Sequence, residues 1–198
     1  MIIMSKKNID SSLLDKAITF AVHAHSGIER RGKSFPYIVH PLEAVEIVAT
    51  ITPDQELLAA AVLHDVVEDT EVSIEAIRDE FGERVASLVA SESEERIEGK
   101  NKEESWHERK QAAISRLANA CSDAKIVAIG DKLSNMRAIY RDYCEIGDAL
   151  WSRFHTSDPK EHEWHYRELA CALSELKGTF AYEEFINLID KVFNNTDR

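Results

Sequence analysis

Apolar residues recur at helical spacing along nearly the whole chain, and no segment shows a clear alternation with period two. This pattern predicts helices joined by polar connections. The predicted helices cover residues 13–22, 41–49, 55–62, 73–81, 85–89, 106–119, 123–140, about 160–176 and about 182–193.

Residues with preferences for helix ends mark several of these boundaries. Pro41 stands where the first residue of the second helix is expected, since proline suits that position. Residues 52–55 form a capping box that opens the third helix, with Thr52 as the capping residue. Ser73 is predicted to cap a later helix that Gly82 ends. Residues 92–105 are the most polar stretch, and we expect a loop there.

Composition favours an all-α fold. Hydrophobic residues make up 44% of the 198 residues, while glycine (7) and proline (4) are scarce, which argues against an all-β domain with many tight turns. We therefore expect a single all-α domain over residues 1–198, with roughly nine or ten helices.

The charge balance limits the partners. A formal net charge of −12 argues against nucleic acid, because proteins that bind duplexes usually carry a basic face. A phosphorylated small molecule stays open, since a metal ion and a few basic side chains make a pocket locally positive. The sequence carries no signal for an oligomeric state.

Three features of the chain favour the cytoplasm. Cys121, Cys144 and Cys171 are far apart and form no CxxC pair, so we expect buried free thiols in a reducing compartment. The apolar run at the N-terminus is too short for a signal peptide. No stretch reaches the ~18 apolar residues of a membrane span, so no membrane partner is predicted.

Residues 63–70 carry the strongest chemical signal. They end an apolar helix yet include two adjacent groups, His64 and Asp65, that suit a borderline divalent metal ion. Residues four apart on a helix face the same way, so His64 is expected to face with Glu68. By the same spacing Asp65 faces with Asp69. This second pair is then placed to orient or deprotonate a water molecule.

Two residues elsewhere are candidates to complete a metal site. His40 lies directly before Pro41, where a side chain at a helix start can point into a cleft. Asp131 lies in a largely apolar segment, where a carboxylate needs a partner, and Asn135 lies one turn further on. The alternatives are a structural histidine at position 40 and a buried ion pair at position 131.

Three motifs in order resemble the HD superfamily of metal-dependent phosphohydrolases, and within it the hydrolase domain of RelA/SpoT proteins. HSGIERR and PYIVHP, within residues 25–41, are similar to that family's HxGxxRK…PYxxHP. HDVVEDT (64–70) matches its HDxxEDT, and DKLSNMR (131–137) resembles its DKLxNMR. The motifs define a core over about residues 13–140 of an HD-domain helical fold, on which C-terminal helices over 145–194 are expected to pack.

The resemblance implies a site and a reaction. It assigns one manganese ion to a set of two histidines and two aspartates: His40, His64, Asp65 and Asp131. The following carboxylate pair, Glu68 and Asp69, would activate or position the attacking water. The reaction would remove the 3′-pyrophosphate of guanosine tetra- or pentaphosphate, the alarmones of the stringent response.

Candidate substrate-binding residues lie in the first and third motifs. Arg30, Arg31 and Lys33 would neutralise the phosphates, and Asn135 would bind ribose or phosphate, although a basic loop can also be merely solvated. The loop departs from the family pattern, because Ile28 replaces the usual glutamine and residues 31–36 differ in length and order. These departures lie where the base or ribose would be recognised.

Two rival functions remain open at this point. One is an HD phosphohydrolase acting on another phosphorylated nucleotide, such as a nucleoside monophosphate or a phosphorylated dinucleotide. The other is a non-catalytic nucleotide sensor, against which the intact Glu68 and Asp69 count. The length leaves no room for the synthetase and regulatory domains of longer relatives, so hydrolysis alone is expected.

Overall fold

The computed structural model describes residues 10–93 and 105–194. Over these ranges the chain forms ten α-helices and two 3-10 helices, and its β pairing is limited to an isolated bridge between Glu29 and Pro36. The predicted all-α fold is confirmed. The α-helices are α1 (Ser12–Ala24), α2 (Val39–Ala49), α3 (Gln55–Leu63), α4 (Val66–Asp69), α5 (Ile74–Phe81), α6 (Glu83–Glu92), α7 (Trp106–Ala118), α8 (Ser122–Ile146), α9 (Pro159–Ala172) and α10 (Phe180–Phe193). The 3-10 helices are Gly147–Arg153 and Ser174–Leu176.

Two hydrophobic clusters form the core, and α8 contributes to both. Ala124 and Val127 of α8 pack into the cluster built mainly by α1, α3, α5 and α6. Leu133 and Met136, further along α8, pack into the cluster built with α9 and α10. The long helix α8 therefore joins the N-terminal helices to the C-terminal ones.

Gly130 brings α2 and α8 unusually close together. A Cβ atom at this position would lie 2.8 Å from the carbonyl oxygen of Ala44 and 2.8 Å from Cγ2 of Val48, both on α2. The absence of a side chain at Gly130 thus sets the spacing of two helices that carry predicted metal ligands.

Several helix ends differ from the sequence prediction. α2 begins at Val39, so the expectation that Pro41 is its first residue is wrong; proline is still tolerated there, because first-turn N–H groups have no partner within the helix. Asp54, not Thr52, caps α3, since its carboxylate accepts the N–H of Glu56 at 2.9 Å. The predicted cap at Ser73 is confirmed, as its hydroxyl accepts the N–H of Ala76.

The helix expected through residues 63–70 is interrupted. α3 ends at Leu63 and α4 begins at Val66, so His64 and Asp65 form the junction between them. α8 also continues beyond its predicted end at 140, to Ile146. The loop predicted over 92–105 lies largely outside the described residues.

The cysteines differ from the sequence prediction, whereas the described helices agree with the expectation of no membrane span. Cys121, Cys144 and Cys171 are free but exposed, so the expectation of buried thiols is wrong. Each lies on a solvent-facing position of a helix or at its cap, where small size does not enforce burial. Across the described ranges, no helix combines the length and apolar character that crossing a bilayer requires.

Candidate metal centre and active-site cavity

The structure brings the four predicted metal ligands together from three places in the fold. Nε2 of His40 lies 3.4 Å from Oδ2 of Asp65 and 3.1 Å from Oδ1 of Asp131. Nε2 of His64 lies 2.9 Å and 3.5 Å from the same two oxygens. One ligand atom each from His40, His64 and Asp65 lies within 4.8 Å of the other two, and Asp131 faces both imidazoles from α8.

The environment of His64 tests whether a metal ion fits. Its Nδ1 lies 2.8 Å from the carbonyl oxygen of Ala61, and a carbonyl can only accept, so Nδ1 carries the proton. In the neutral ring that a metal ion would bind, the lone pair is then on Nε2, which is buried and has no hydrogen-bond partner within the described part of the chain. A buried acceptor nitrogen between two carboxylates suits a divalent cation.

The charges of the cluster support the same assignment. Burial opposes ionisation of Asp65, but the adjacent imidazoles of His64 and His40 outweigh it, so the pKa of Asp65 is held well below its ordinary range. A proton on these rings has this effect in the metal-free protein, and a bound metal ion would take its place. Burial likewise opposes ionisation of Asp131, and Lys132, followed by the same imidazoles in the metal-free protein, keeps its pKa well below the ordinary range. Both aspartates are therefore in the ionised form that metal ligation requires.

A cavity of about 350 Å³ opens over this cluster and is lined both by the junction between α3 and α4, which carries His64, and by α8, which carries Asp131. Glu68 and Asp69, the predicted water-activating pair, line it from α4 and are exposed to solvent. The break between α3 and α4 thus places the buried His64 and the half-buried Asp65 next to an accessible carboxylate pair.

Two of the four predicted substrate-binding residues reach the metal cluster. Arg30 donates from Nη2 to Oδ1 of Asn135 at 2.5 Å, and Asn135 donates from Nδ2 to Oδ1 of Asp131 at 2.5 Å. Both residues line the 350 Å³ cavity. The basic loop is therefore linked to a metal ligand through Asn135.

The other two predicted residues lie further away. Arg31 and Lys33 line an adjoining cavity of about 410 Å³ instead. Nη1 of Arg31 lies 3.3 Å from Nε2 of His155, and Lys33 forms an ion pair with Asp142. The structure therefore does not bring Arg31 and Lys33 to the metal cluster.

Sequence reasoning missed basic residues that line the cavity. Arg109, Lys110 and Arg116 reach it from α7, and Lys132 contacts both Asp131 (2.6 Å) and Glu92 (3.1 Å). A signal was present, because Arg109 and Arg116 are two helical turns apart and share a face. Their approach to the site depends on tertiary packing.

Tyr37 and His165 were missed as well. The hydroxyl of Tyr37 donates to Oδ2 of Asp65 at 2.6 Å and so holds that carboxylate from the side of the loop. Burial, reinforced by Asp65, raises the pKa of Tyr37, which keeps its proton available for this bond. His165 of α9 lines both cavities, and burial lowers its pKa well below the ordinary value, so it faces them as a neutral ring.

Comparisons with known proteins identify a family and several relatives. Residues 17–150 match the HD domain family. The chain is 34% identical over 129 residues to a guanosine-3′,5′-bis(diphosphate) 3′-pyrophosphohydrolase of Aquifex aeolicus, covering 64% of this chain but 18% of that protein. It is 34% identical over 136 residues to the guanosine-3′,5′-bis(diphosphate) 3′-pyrophosphohydrolase MESH1 of Xenopus tropicalis, covering 67% of this chain and 72% of that one.

Two solved structures share the fold. One, described as a metazoan ortholog of SpoT that hydrolyzes ppGpp, aligns with a TM-score of 0.69 at 23% identity and covers 92% of this chain and 96% of that one. The other, from Listeria monocytogenes EGD-e, aligns with a TM-score of 0.68 at 29% identity and covers 78% of this chain and 99% of that one. The second alignment therefore covers nearly all of the Listeria chain.

Proposed function

The chain belongs to the HD domain family, and on that premise we propose that it hydrolyses the 3′-pyrophosphate of guanosine tetra- or pentaphosphate with the help of one divalent metal ion. The carrying observation is the convergence of four ligand side chains at a cavity that basic residues line: His40, His64, Asp65 and Asp131. Two relatives of the chain carry the name of this activity. The products would be guanosine di- or triphosphate and pyrophosphate.

The two cavities suit the two parts of such a substrate. The 350 Å³ cavity has basic walls from α7 and α8, which neutralise a diphosphate. The adjoining 410 Å³ cavity is lined in part by Phe154, Ile139 and Tyr166, and apolar and aromatic walls accommodate a nucleoside. Arg30 and Asn135 line both cavities and would contact the ribose and phosphates where they meet.

We propose manganese as the metal ion, held by the two histidines and two aspartates. A mixed imidazole and carboxylate set also accepts zinc, iron or cobalt, and the family resemblance selects manganese among them. When bound, the ion polarises a phosphoryl oxygen and lowers the pKa of water.

The protein's own groups carry out the remaining steps. One carboxylate of the pair Glu68 and Asp69 accepts a proton from the attacking water, and the pair orients the water toward the phosphorus atom. That proton then passes to the departing ribose 3′-oxygen. The basic side chains of the cavity stabilise the charge that builds on the phosphoryl oxygens as the bond to the ribose 3′-oxygen breaks. Tyr37 keeps the Asp65 carboxylate oriented throughout.

A second candidate is hydrolysis of another phosphorylated nucleotide by the same site. One observation favours it: Lys33, expected at the substrate phosphates, is instead paired with Asp142 beside the second cavity.

We also propose a single domain over the whole chain and a cytoplasmic location, as the sequence suggested.

A substrate panel separates the candidates. The purified protein with manganese would be incubated with guanosine tetraphosphate, a nucleoside monophosphate and a phosphorylated dinucleotide, with Asp65→Asn as the inactive control. We expect pyrophosphate and guanosine diphosphate from the first substrate alone. Turnover confined to another nucleotide would favour the second candidate, and binding without turnover would indicate a sensor.

A further inference from the structure

A chain of two hydrogen bonds, the first buried and the second half-buried, lies behind the metal-facing edge of His40. Nδ1 of His40 lies 2.8 Å from Oγ of Ser134, and that hydroxyl donates to Oε2 of Glu43 at 2.6 Å. His40 is 3% exposed and Ser134 is 1% exposed, so water does not compete for the bond between them, whereas the Glu43 side chain is 23% exposed. The chain runs from α2 to α8 and back to α2.

The direction of each bond follows from the number of protons. A serine hydroxyl has one proton, and the Glu43 carboxylate can only accept. The Ser134 proton therefore points to Glu43, and Nδ1 of His40 must donate to Ser134. The lone pair of the neutral ring is then on Nε2, which faces Asp65 and Asp131.

Arg137 fixes the far end of this chain. Its Nη1 lies 3.4 Å from the other oxygen of Glu43, which leaves Oε2 for Ser134. Nε and Nη2 of Arg137 donate to the two oxygens of Glu184 on α10 at 2.8 and 2.7 Å. Glu43 is therefore oriented by a guanidinium that is itself anchored on a C-terminal helix.

We propose that Ser134 and Glu43 are positioning residues for the metal ion, which hold His40 in the Nδ1–H form and aim its Nε2 at the ligand cluster. The inference rests on the metal site of the proposed function and not on the identity of the substrate. A contact that merely joined α2 to α8 would not need an acceptor chain ending in a charged group. Partners of this kind orient a ligand histidine and raise its basicity.

The test compares metal binding in matched variants. Ser134→Ala removes the acceptor of the His40 proton, and Glu43→Gln keeps the shape of the acceptor but removes its charge. Glu46→Gln is the control, because Glu46 also lies on α2 and approaches Arg137 (3.7 Å) but is exposed to solvent. Thermal unfolding of each metal-free protein shows that it is folded.

We expect Ser134→Ala to weaken manganese binding, measured by calorimetric titration, by about 10- to 100-fold, Glu43→Gln to weaken it less, and Glu46→Gln to leave it unchanged. In the zinc-loaded protein, which is diamagnetic, ¹⁵N NMR of the histidines should show a protonated Nδ1 on His40. Its proton should be protected from exchange in the wild type and unprotected in Ser134→Ala.

Three results would overturn the inference: undiminished metal affinity in folded Ser134→Ala, equal losses in Glu43→Gln and Glu46→Gln, or protonation of His40 on Nε2. A wild-type protein that takes up no metal would overturn both this inference and the proposed function. A wild-type protein that binds metal with the expected His40 form but hydrolyses no alarmone would contradict the proposed function and leave the positioning role standing.

Discussion

At the scale of single residues, the site separates the carboxylates proposed as metal ligands from the carboxylates proposed to face the substrate. The side chains of Asp65 and Asp131 are largely buried and contact the imidazoles. Glu68 and Asp69, on the four-residue helix α4, are exposed to the cavity. These different environments suit the two pairs of carboxylates to different roles. Proton transfer needs a group that water can reach, while metal ligation benefits from burial.

Replacing Glu68 by Gln or Asp69 by Asn is expected to leave metal content unchanged and to lower kcat by about 100-fold or more, because general-base groups contribute that much. Metal analysis and initial rates on the same samples would check it. Glu71→Gln, at an exposed acid in the same segment, is the matched control. Near-full activity in either variant would remove that residue from the water-activating pair.

His165 should make stability depend on pH. Burial, followed by the nearby Lys110 and Lys132, holds the pKa of His165 well below its ordinary value of 6.5. Below pH 6.5 the unfolded chain therefore binds a proton at this histidine that the folded chain does not bind. The contribution of His165 to the free energy of unfolding is fully present above pH 6.5 and declines as the pH falls below it.

A His165→Gln variant should therefore lose less unfolding free energy than the wild type between pH 7 and pH 5, by up to about 1.4 kcal/mol per pH unit. Denaturant unfolding at both pH values measures the difference. The exposed His23, replaced in the same way, is the control. Identical pH slopes in wild type and His165→Gln would show that His165 is not kept neutral by burial.

The position of a residue in the site could be predicted from the sequence where a motif fixes the local chemistry. It could not be predicted where the residue's partner is distant in the chain. His64 and Asp65 are adjacent in the sequence, and in the structure their side chains also meet, with Nε2 of His64 2.9 Å from Oδ2 of Asp65. Lys33 was expected at the phosphates, yet it meets Asp142, far along the chain on α8. Charge alone cannot indicate which of two cavities a flexible basic side chain enters.

At the scale of elements, the closest approach of two helices sets the geometry of the site. α2 carries His40 and α8 carries Asp131, and Gly130 packs its bare Cα against the backbone of α2. One of the two nearest atoms is the carbonyl oxygen of Ala44, which cannot move aside as a flexible side chain would. The helices must separate if position 130 gains a side chain.

Gly130→Ala is therefore expected to destabilise the fold by about 1–3 kcal/mol, as overpacked cores do, despite the better helix propensity of alanine. Metal affinity should fall as well, because the separation moves His40 away from Asp131. Urea unfolding and a metal titration measure the two effects. An unchanged unfolding midpoint would show that α2 and α8 are not packed at this distance.

Most helices could be located from hydrophobic periodicity, but their ends followed local chemistry that competes with it. Asp54 displaced Thr52 as the cap of α3, because its side chain reaches the N–H of Glu56 directly. The break at His64 and Asp65 was not predicted, since apolar spacing continues through it on both sides. That break is also where the site departs from the one-face arrangement expected of a continuous helix.

At the scale of the whole molecule, the proposed metal ligands come from helices of both hydrophobic clusters. α3 belongs to the N-terminal cluster, while α8 packs into both clusters. A metal ion bound by His64 and Asp131 would therefore stabilise the arrangement of the two halves. The basic face of α7 was not predicted as part of the site. The polar stretch before α7 does not indicate on which side of the fold this helix packs.

Removing the metal ion should lower the unfolding temperature. Saturation at a free metal concentration about 100 times the dissociation constant adds about 2.7 kcal/mol to the free energy of unfolding. Differential scanning calorimetry with and without a chelator would detect the shift, and Asp131→Ala should show none. A chelator that leaves the wild-type unfolding temperature unchanged would argue against a metal ion that bridges these helices.

The most direct test of the account is the initial rate of pyrophosphate release from guanosine tetraphosphate by the manganese-loaded protein, before and after chelation. The account predicts release of pyrophosphate and guanosine diphosphate in equal amounts, its loss on chelation and its recovery when manganese is restored. A metal-loaded protein that releases no pyrophosphate, or whose release survives chelation and the His64→Ala substitution, would contradict it.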